Sequence, residues 1–200
     1  SESVGSFHAD DLELVKFIAM TIALDIENVR LHRVAVTDPL TGAYNREFLH
    51  QRLPQEIEAA IDRDRPLSVA IVDVDHFKKY NDTHGHARGD DCLRSVARAL
   101  TSVARRPADL AARYGGEEFG LLFPETDAPA MRLLIRAVLA AVRETDVTVS
   151  IGAVTVTPSS DIDATFALET ADELLYEAKE NGRDQARHLD VSSKERERLS

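Results

Sequence analysis

Arg113-Tyr114-Gly115-Gly116-Glu117-Glu118-Phe119 is the stretch that decides how the chain folds. Two runs in which apolar residues alternate, Asp109 to Tyr114 and Glu117 to Phe123, flank the glycine pair, the pattern of an antiparallel hairpin. A two-residue type I′ turn at Gly115-Gly116 is expected, because it needs positive φ at both central positions and glycine supplies this without strain. Glu117 and Glu118 follow at once on opposite faces of the strand, so one of them looks into whatever the turn covers. Taken alone, the stretch also fits an ordinary exposed hairpin with solvated acids, since Gly-Gly turns followed by charge are common.

The second informative stretch is Leu67-Ser68-Val69-Ala70-Ile71-Val72-Asp73-Val74-Asp75, a nearly unbroken apolar run ending in two aspartates. It predicts a strand buried on both faces. A carboxylate there is costly to desolvate and is usually paired or metal-bound. Asp73 shares a face with Val69 and Ile71, while Asp75 points the same way beyond the expected strand end. A buried-strand Asp and a hairpin Glu are hard oxygen ligands of the kind that hold Mg²⁺ against phosphates.

With these motifs in hand, the sequence resembles a GGDEF-family diguanylate cyclase whose signature takes the Gly-Gly-Glu-Glu-Phe form. Asp38-Pro39-Leu40-Thr41-Gly42, Asn45-Arg46, the run from Asp73 through Lys78, Asn81-Asp82, Gly85-His86, Gly89-Asp90 and Lys179 with Gly182-Arg183 all fall in family order. The resemblance covers residues 36 to about 189. Ala43 departs from it, standing where a leucine is usual, which touches packing rather than chemistry.

The resemblance implies condensation of two GTP into cyclic di-GMP with release of two pyrophosphates, carried out by a homodimer in the bacterial cytoplasm. It implies that Asp73, the Val74 carbonyl, Glu117 and Glu118 hold Mg²⁺ or Mn²⁺, two ions per half-site, with Asp73, Glu117 and Glu118 as the catalytic acids. Backbone amides around His76 and Phe77, with Lys78, then serve the phosphates, Asn81 and Asp90 the guanine edge, Gly115 and Gly116 the close approach of the nucleotide, and Lys179 and Arg183 the triphosphate. Arg106 and Asp109 match the family's Arg-x-x-Asp inhibitory site for product.

On the residues alone, each assignment has a plainer competitor. Asp90 also reads as a helix N-cap and Asn81 as a helix terminator; Arg106 also closes a helix before Pro107, and Lys179 with Arg183 also compensates a helix dipole. Competing functions are an inactive family member that senses GTP or cyclic di-GMP, a cyclase making cyclic GMP, and a structural adaptor.

The formal charge of −11 argues against sequence-independent nucleic-acid binding. No stretch approaches the ~18 apolar residues that span a bilayer, and the first residues do not form a signal peptide. A single cysteine, Cys92, rules out an internal disulfide and fits a reducing interior. His8, His32, His50, His84, His86 and His188 show no metal-ligand spacing.

Along the chain, residues 1–36 are expected to be a signalling and dimerisation helix, frayed over 1–9 and starting at Asp10. Leu12, Val15, Ala19, Ile22, Ile26, Val29, Arg33 and Val36 form a heptad seam, with Ile18, Leu24 and Leu31 widening it. The wording around Phe7, Asp11 to Leu14 and Ala23 to Asn28 resembles the last helix of a GAF sensor, which implies an upstream sensor domain; the helix also reads as folded back on its own domain. The cyclase domain is expected over 37–189 and a charged flexible tail over 190–200.

Within the domain, Asn45 is expected to cap a helix to Asp64 with Phe48, Leu49, Leu53, Ile57, Ala60 and Ile61 inward and a mid-helix kink or a restart at Pro54. His76 to Asp82 reads as a short helix, Thr83 to Gly89 as a loop, and Asp90 to Arg105 as a helix. A helix over 127–144, a strand over 147–157, a helix over 163–181 ended by Gly182 and a strand over 185–189 complete an α/β sandwich, helices over a largely antiparallel sheet. The arrangement resembles the palm-like fold of nucleotidyl cyclases and polymerases.

Overall fold

The computed structural model describes residues 9–157 and 162–191. The chain divides into two units, 1–36 and 37–200. The first is one helix, α1 (Ala9–Val36). Its described large apolar side chains, from Leu12 to Val34, are exposed, Phe17 by 63% and Val34 by 70%. The residues around Phe7 and His8 lie outside the described residues, as do 192–200 of the expected tail.

In the second unit the elements run β1 (Tyr44–Asn45), α2 (Arg46–Arg63), β2 (Leu67–Val74), α3 (Phe77–His84), α4 (His86–Val103), β3 (Leu110–Arg113), β4 (Glu118–Pro124), α5 (Ala128–Arg143), β5 (Val149–Val156), α6 (Ala164–Glu180) and β6 (Ala186–Val191). The sheet order is β1-β3-β4-β2-β5-β6. The three inner pairings are antiparallel and the two outer ones parallel. The expected α/β sandwich is what forms.

All residues of β2 are buried because it lies mid-sheet with helices on both faces. Its even-numbered residues, Ala70, Val72 and Val74, meet Leu93, Val96 and Leu100 of α4 and Met131 and Val138 of α5. The odd ones, Val69 and Ile71, meet Leu49, Leu53 and Ile57 of α2 and Ala171 and Leu175 of α6. Phe119 and Phe123, fully buried on β4, each contribute about 1.5–3 kcal/mol of transfer free energy. This alternation puts Asp73 on the α2/α6 face.

Caps explain where the helices begin. Asn45 Oδ1 accepts from Phe48 N–H at 2.9 Å, Asp127 Oδ1 from Ala130 N–H at 2.9 Å and Asp163 Oδ1 from Phe166 N–H at 2.8 Å. Four expectations need correction. Helix α2 runs through Pro54 without restarting, because Leu49, Leu53, Ile57 and Ala60 seat both halves on the sheet, while Ile61 is 38% exposed and outside the core. Helix α4 starts at His86 rather than Asp90 and ends at Val103; Gly85 (φ 82°) makes the whole bend after α3, so no loop to Gly89 is needed. Strand β6 continues past Leu189 to a buried Val191, held in parallel register with Val156.

The fourth concerns the glycine turn. Neither Gly115 nor Gly116 takes positive φ, unlike Gly42, Gly85 and Gly182. Tyr114 and Gly115 N–H both donate to Glu118 O, at 2.7 and 3.2 Å, so Glu117 lies in the turn and β4 begins at Glu118. The turn is also tied sideways. Arg113 donates to Gly116 O at 2.8 and 3.1 Å, and Val74 N–H to Glu117 O at 3.2 Å.

Helix α6 docks on β5 at Gly152, where a Cβ would stand 1.9 Å from Ala171 O and 2.2 Å from Leu175 N. Both are backbone atoms, so the helix itself has to move. Gly152→Ala is expected to destabilise by about 3 kcal/mol or more, read as a lower urea midpoint at unchanged slope. A wild-type midpoint would contradict this packing.

Candidate functional site

Asp73 and Glu118 are register partners across β2 and β4, on the same face of the sheet. Like charges directly opposite each other repel. Asp73 is 9% exposed, and Lys179, from the last turn of α6, places its Nζ 2.9 Å from Asp73 Oδ2. Burial raises the Asp73 pKa above its ordinary 3.8, with Lys179 pulling the other way. Burial first, and the Asp73 charge next, raise Glu118 above its ordinary 4.5. The half-buried Glu117 adds to the repulsion on both.

The donor set of two facing carboxylates, already neutralised in part by an ammonium, suits a divalent cation, as does the Val74 peptide beside Glu117. Among the described residues no group of three or more His, Cys, Asp or Glu side chains converges on a metal position. The cation at Asp73 is Lys179.

A second carboxylate holds this edge together. Asp75, 5% exposed, accepts from Thr148 Oγ1 and Ser150 Oγ, each at 2.7 Å, and from Asp184 N–H at 3.0 Å. It joins the end of β2 to the loop after α6, where Arg183 and Asp184 both take positive φ. Arg183 donates to Lys179 O at 3.3 Å. The separation of Lys179 from Asp73 is thus set from both ends. The sequence placed Asp75 correctly but gave it no partner; the Thr148-x-Ser150 pair one strand away was the available signal.

Arg113 was also missed. It donates to Gly116 O and lies 3.3 Å from both Asp38 oxygens, while Asp38 Oδ1 accepts from Thr41 N–H at 2.9 Å and Thr41 Oγ1 at 2.7 Å. Burial opposes ionisation of Asp38, but the Thr41 bonds and the Arg113 charge outweigh it and hold its pKa below 3.8. The Asp38-Pro39-Leu40-Thr41 turn and the glycine turn are therefore one bonded unit.

The guanine candidates lie where α3 meets α4. A Cβ on Gly89 would stand 1.8 Å from Asn81 Oδ1 and 3.3 Å from Phe77, so glycine is what lets the two helices close. Asn81 Oδ1 is buried with no hydrogen-bond partner. An unpaired buried acceptor is destabilising, and it marks a position where a donor is wanted. Asp90, exposed and following Gly89, lies within α4 rather than at its cap. His76 and Lys78 are exposed at the start of α3, with His76 in left-handed backbone (φ 55°) and Phe77 buried. Gly115 approaches Glu118 so closely that a Cβ would meet Oε2 at 2.8 Å.

Arg106 and Asp109 lie at the other end of the β3–β4 hairpin, about 20 Å from Glu118 by strand rise. They are bonded to each other: Arg106 Nε donates to Asp109 Oδ1 at 2.8 Å and Arg106 N–H to Oδ2 at 3.0 Å. No described helix is long and apolar enough to cross a membrane.

Comparison with known proteins agrees with this fold. The family described as diguanylate cyclase, GGDEF domain, matches residues 35–185. The probable diguanylate cyclase DgcT of Escherichia coli K12 is 37% identical over 169 residues, covering 79% of this chain and 36% of that protein. Diguanylate cyclase DgcP of Pseudomonas aeruginosa PAO1 is 40% identical over 159 residues, 75% of this chain and 23% of that protein. The chain thus spans well under half the length of these two relatives. The crystal structure of the coiled coil and GGDEF domain of DgcB from Caulobacter crescentus, in complex with c-di-GMP, matches with a TM-score of 0.74 at 27% identity, over 93% of this chain and 100% of that one.

The acid pair makes a stability prediction. A carboxyl whose folded pKa is raised contributes stability that is complete below its ordinary pKa and is lost as pH rises through the raised value. At neutral pH the ionised pair therefore strains the ion-free fold. Glu118→Gln is expected to raise the thermal midpoint at pH 7, with the difference vanishing in the acid range, and to weaken the upward shift caused by added Mn²⁺. An unchanged or lower midpoint at pH 7 would show that the pair is not strained.

Proposed function

The chain belongs to the GGDEF diguanylate cyclase family, and from that premise we propose that it joins two GTP into cyclic di-GMP and releases two pyrophosphates. The observation that carries this reading is the cross-strand pairing of Asp73 with Glu118 beneath Lys179. A structural adaptor has no use for two carboxylates forced together at the end of a buried strand.

Asp73, Glu117, Glu118 and the Val74 carbonyl would hold Mg²⁺ or Mn²⁺, two ions per half-site. When bound, such ions supply Lewis acidity, lowering the pKa of a hydroxyl and neutralising a leaving pyrophosphate. The protein's own residues do the positioning. Asp90 accepts from the adjacent N–H donors of guanine, and Asn81 Oδ1, buried and unpartnered, accepts from the base. Amides at His76 and Phe77 with the Lys78 ammonium receive phosphate oxygens at the start of α3. Lys179 turns from Asp73 to the triphosphate, joined by Arg183, and Gly115-Gly116 admits the nucleotide against the turn backbone.

In each half-reaction the 3′-oxygen of one GTP attacks the α-phosphorus of the other. The bond to pyrophosphate breaks, and Glu117 accepts the hydroxyl proton. One domain holds one GTP, so two chains face each other, and the exposed apolar side chains of α1 supply the means of association. An upstream sensor domain would act through that helix. Product returns to Arg106 and Asp109 as an inhibitor. The family match and the c-di-GMP complex of the DgcB domain support the reading of the chain as a cyclase domain.

Incubation with GTP and Mg²⁺, followed by chromatography of the nucleotides, tests the reading. Cyclic di-GMP is expected, at a rate per chain that climbs with protein concentration. Glu117→Ala is expected to lower turnover at least ~100-fold while the sedimentation coefficient of the dimer persists. Cyclic GMP as the product, or no product at any concentration, would defeat the proposal.

A further inference from the structure

The turn from β4 to α5 is built around Thr126, and every polar atom of that residue is engaged. It is 2% exposed. Its N–H donates to Pro66 O at 3.1 Å and its carbonyl accepts from Ser68 Oγ at 2.9 Å. Its hydroxyl donates to Pro124 O at 3.1 Å, which leaves a lone pair to accept from Arg106 Nη2 at 2.6 Å. Glu125, between Pro124 and Thr126, takes left-handed backbone (φ 51°), an unfavourable state for a residue with a Cβ.

Counting protons extends the chain of bonds. The single hydroxyl proton of Ser68 goes to Thr126 O, so the 2.7 Å contact between Ser68 and Thr155 is donated by Thr155. The 2.8 Å contact between Thr155 and His188 is then donated by the His188 Nε2–H. Ser68 and Thr155 are both buried. A one-way relay, His188 to Thr155 to Ser68 to Thr126, thus crosses β6, β5 and β2 and ends on the residue that grips Arg106.

The grip fixes one edge of the guanidinium. Nε donates to Asp109, and Nη2 to Pro124 O at 3.1 Å and to Thr126 Oγ1. Among the described residues Nη1 has no protein partner. The side chain is 48% exposed and lines a cleft of about 560 Å³ with Arg63, Arg65 and Ala108. Nη2 also lies 2.7 Å from Asp109 Oδ1, so a planar cation held through Nε and Nη2 presents Nη1 and its faces to a ligand without losing rotamer freedom on binding.

Resting on the reading of Arg106 and Asp109 as a product site, we propose that Thr126 is the positioning residue of that site, orienting the Arg106 guanidinium for the phosphate and base of a cyclic guanine dinucleotide. Thr126 itself touches no ligand; it acts through Arg106.

Calorimetric titration of the full chain with cyclic di-GMP, together with initial rates at low product, tests this. Thr126→Val keeps the shape and removes the hydroxyl; Thr126→Ser keeps the hydroxyl. Val is expected to weaken binding about tenfold with kcat and KM for GTP unchanged, and Ser to bind within about twofold of wild type. Thr126→Ala repeats the measurement should the Val variant not fold. Arg106→Ala separates the two layers. Loss of binding in Arg106→Ala but wild-type affinity in Thr126→Val or Thr126→Ala overturns the role of Thr126. Wild-type affinity in Arg106→Ala overturns the site itself. An equal loss in Ser and Val, accompanied by lowered kcat, marks Thr126 as merely structural and also overturns the proposal.

Discussion

Two carboxylates stand opposite each other across β2 and β4, at the edge of a dry core, with one ammonium between them and solvent. The rest of the site can be understood as what is needed to keep that arrangement in place. Burial raises the pKa of both acids, with the Glu117 charge adding to each and the Asp73 charge adding to Glu118, so the pair destabilises the fold unless a cation is present. Lys179 supplies one positive charge from a flexible stem. A divalent ion would supply more charge on harder geometry, and the exchange of one for the other would free Lys179 for substrate.

The surrounding framework explains why the pair does not relax apart. Asp73 cannot shift along β2, because register pairs to both neighbouring strands hold it. Glu118 cannot withdraw, because the turn before it is bonded to Val74 and, through Arg113, to Asp38. Asp75 ties the end of β2 to the loop after α6 through Asp184 N–H and to β5 and its approach through Ser150 and Thr148, and Gly152 lets α6 lie directly on β5. Apart from Arg113, these contacts involve backbone or short side chains, which lose little entropy on ordering. At the opposite end of the hairpin, Thr126 plays the equivalent part for Arg106 through its own hydroxyl, while Ser68 anchors its carbonyl.

The apolar patterns carried most of the fold. Leu67 to Val74 could only be an inner strand, and the Asn45, Asp127 and Asp163 caps were visible because an Asn or Asp stands just before an apolar-periodic run. The misses came where tertiary bonds overrode local preference. Gly115-Gly116 looked like a type I′ turn, but Arg113 and Val74 bond its carbonyls from the side. Asp90 looked like a cap, yet Gly85 completed the bend and moved the helix start upstream. Pro54 looked like a break, but four buried side chains held the helix on the sheet. In the site, the acids and Lys179 were named by motif, while the bonds of Asp75, Arg113 and Thr126 were not read because their partners reach 73 to 109, 75 and 20 to 60 residues away in sequence.

The account turns on whether the Lys179–Asp73 pair is a stand-in for a metal ion. Anomalous diffraction from crystals grown with Mn²⁺ and a non-hydrolysable GTP analogue asks this directly. A manganese peak between the Asp73 and Glu118 carboxylates, with Lys179 Nζ moved from Asp73 onto a phosphate oxygen, is the predicted result. A nucleotide bound without a peak there, and Lys179 still 2.9 Å from Asp73, would contradict it.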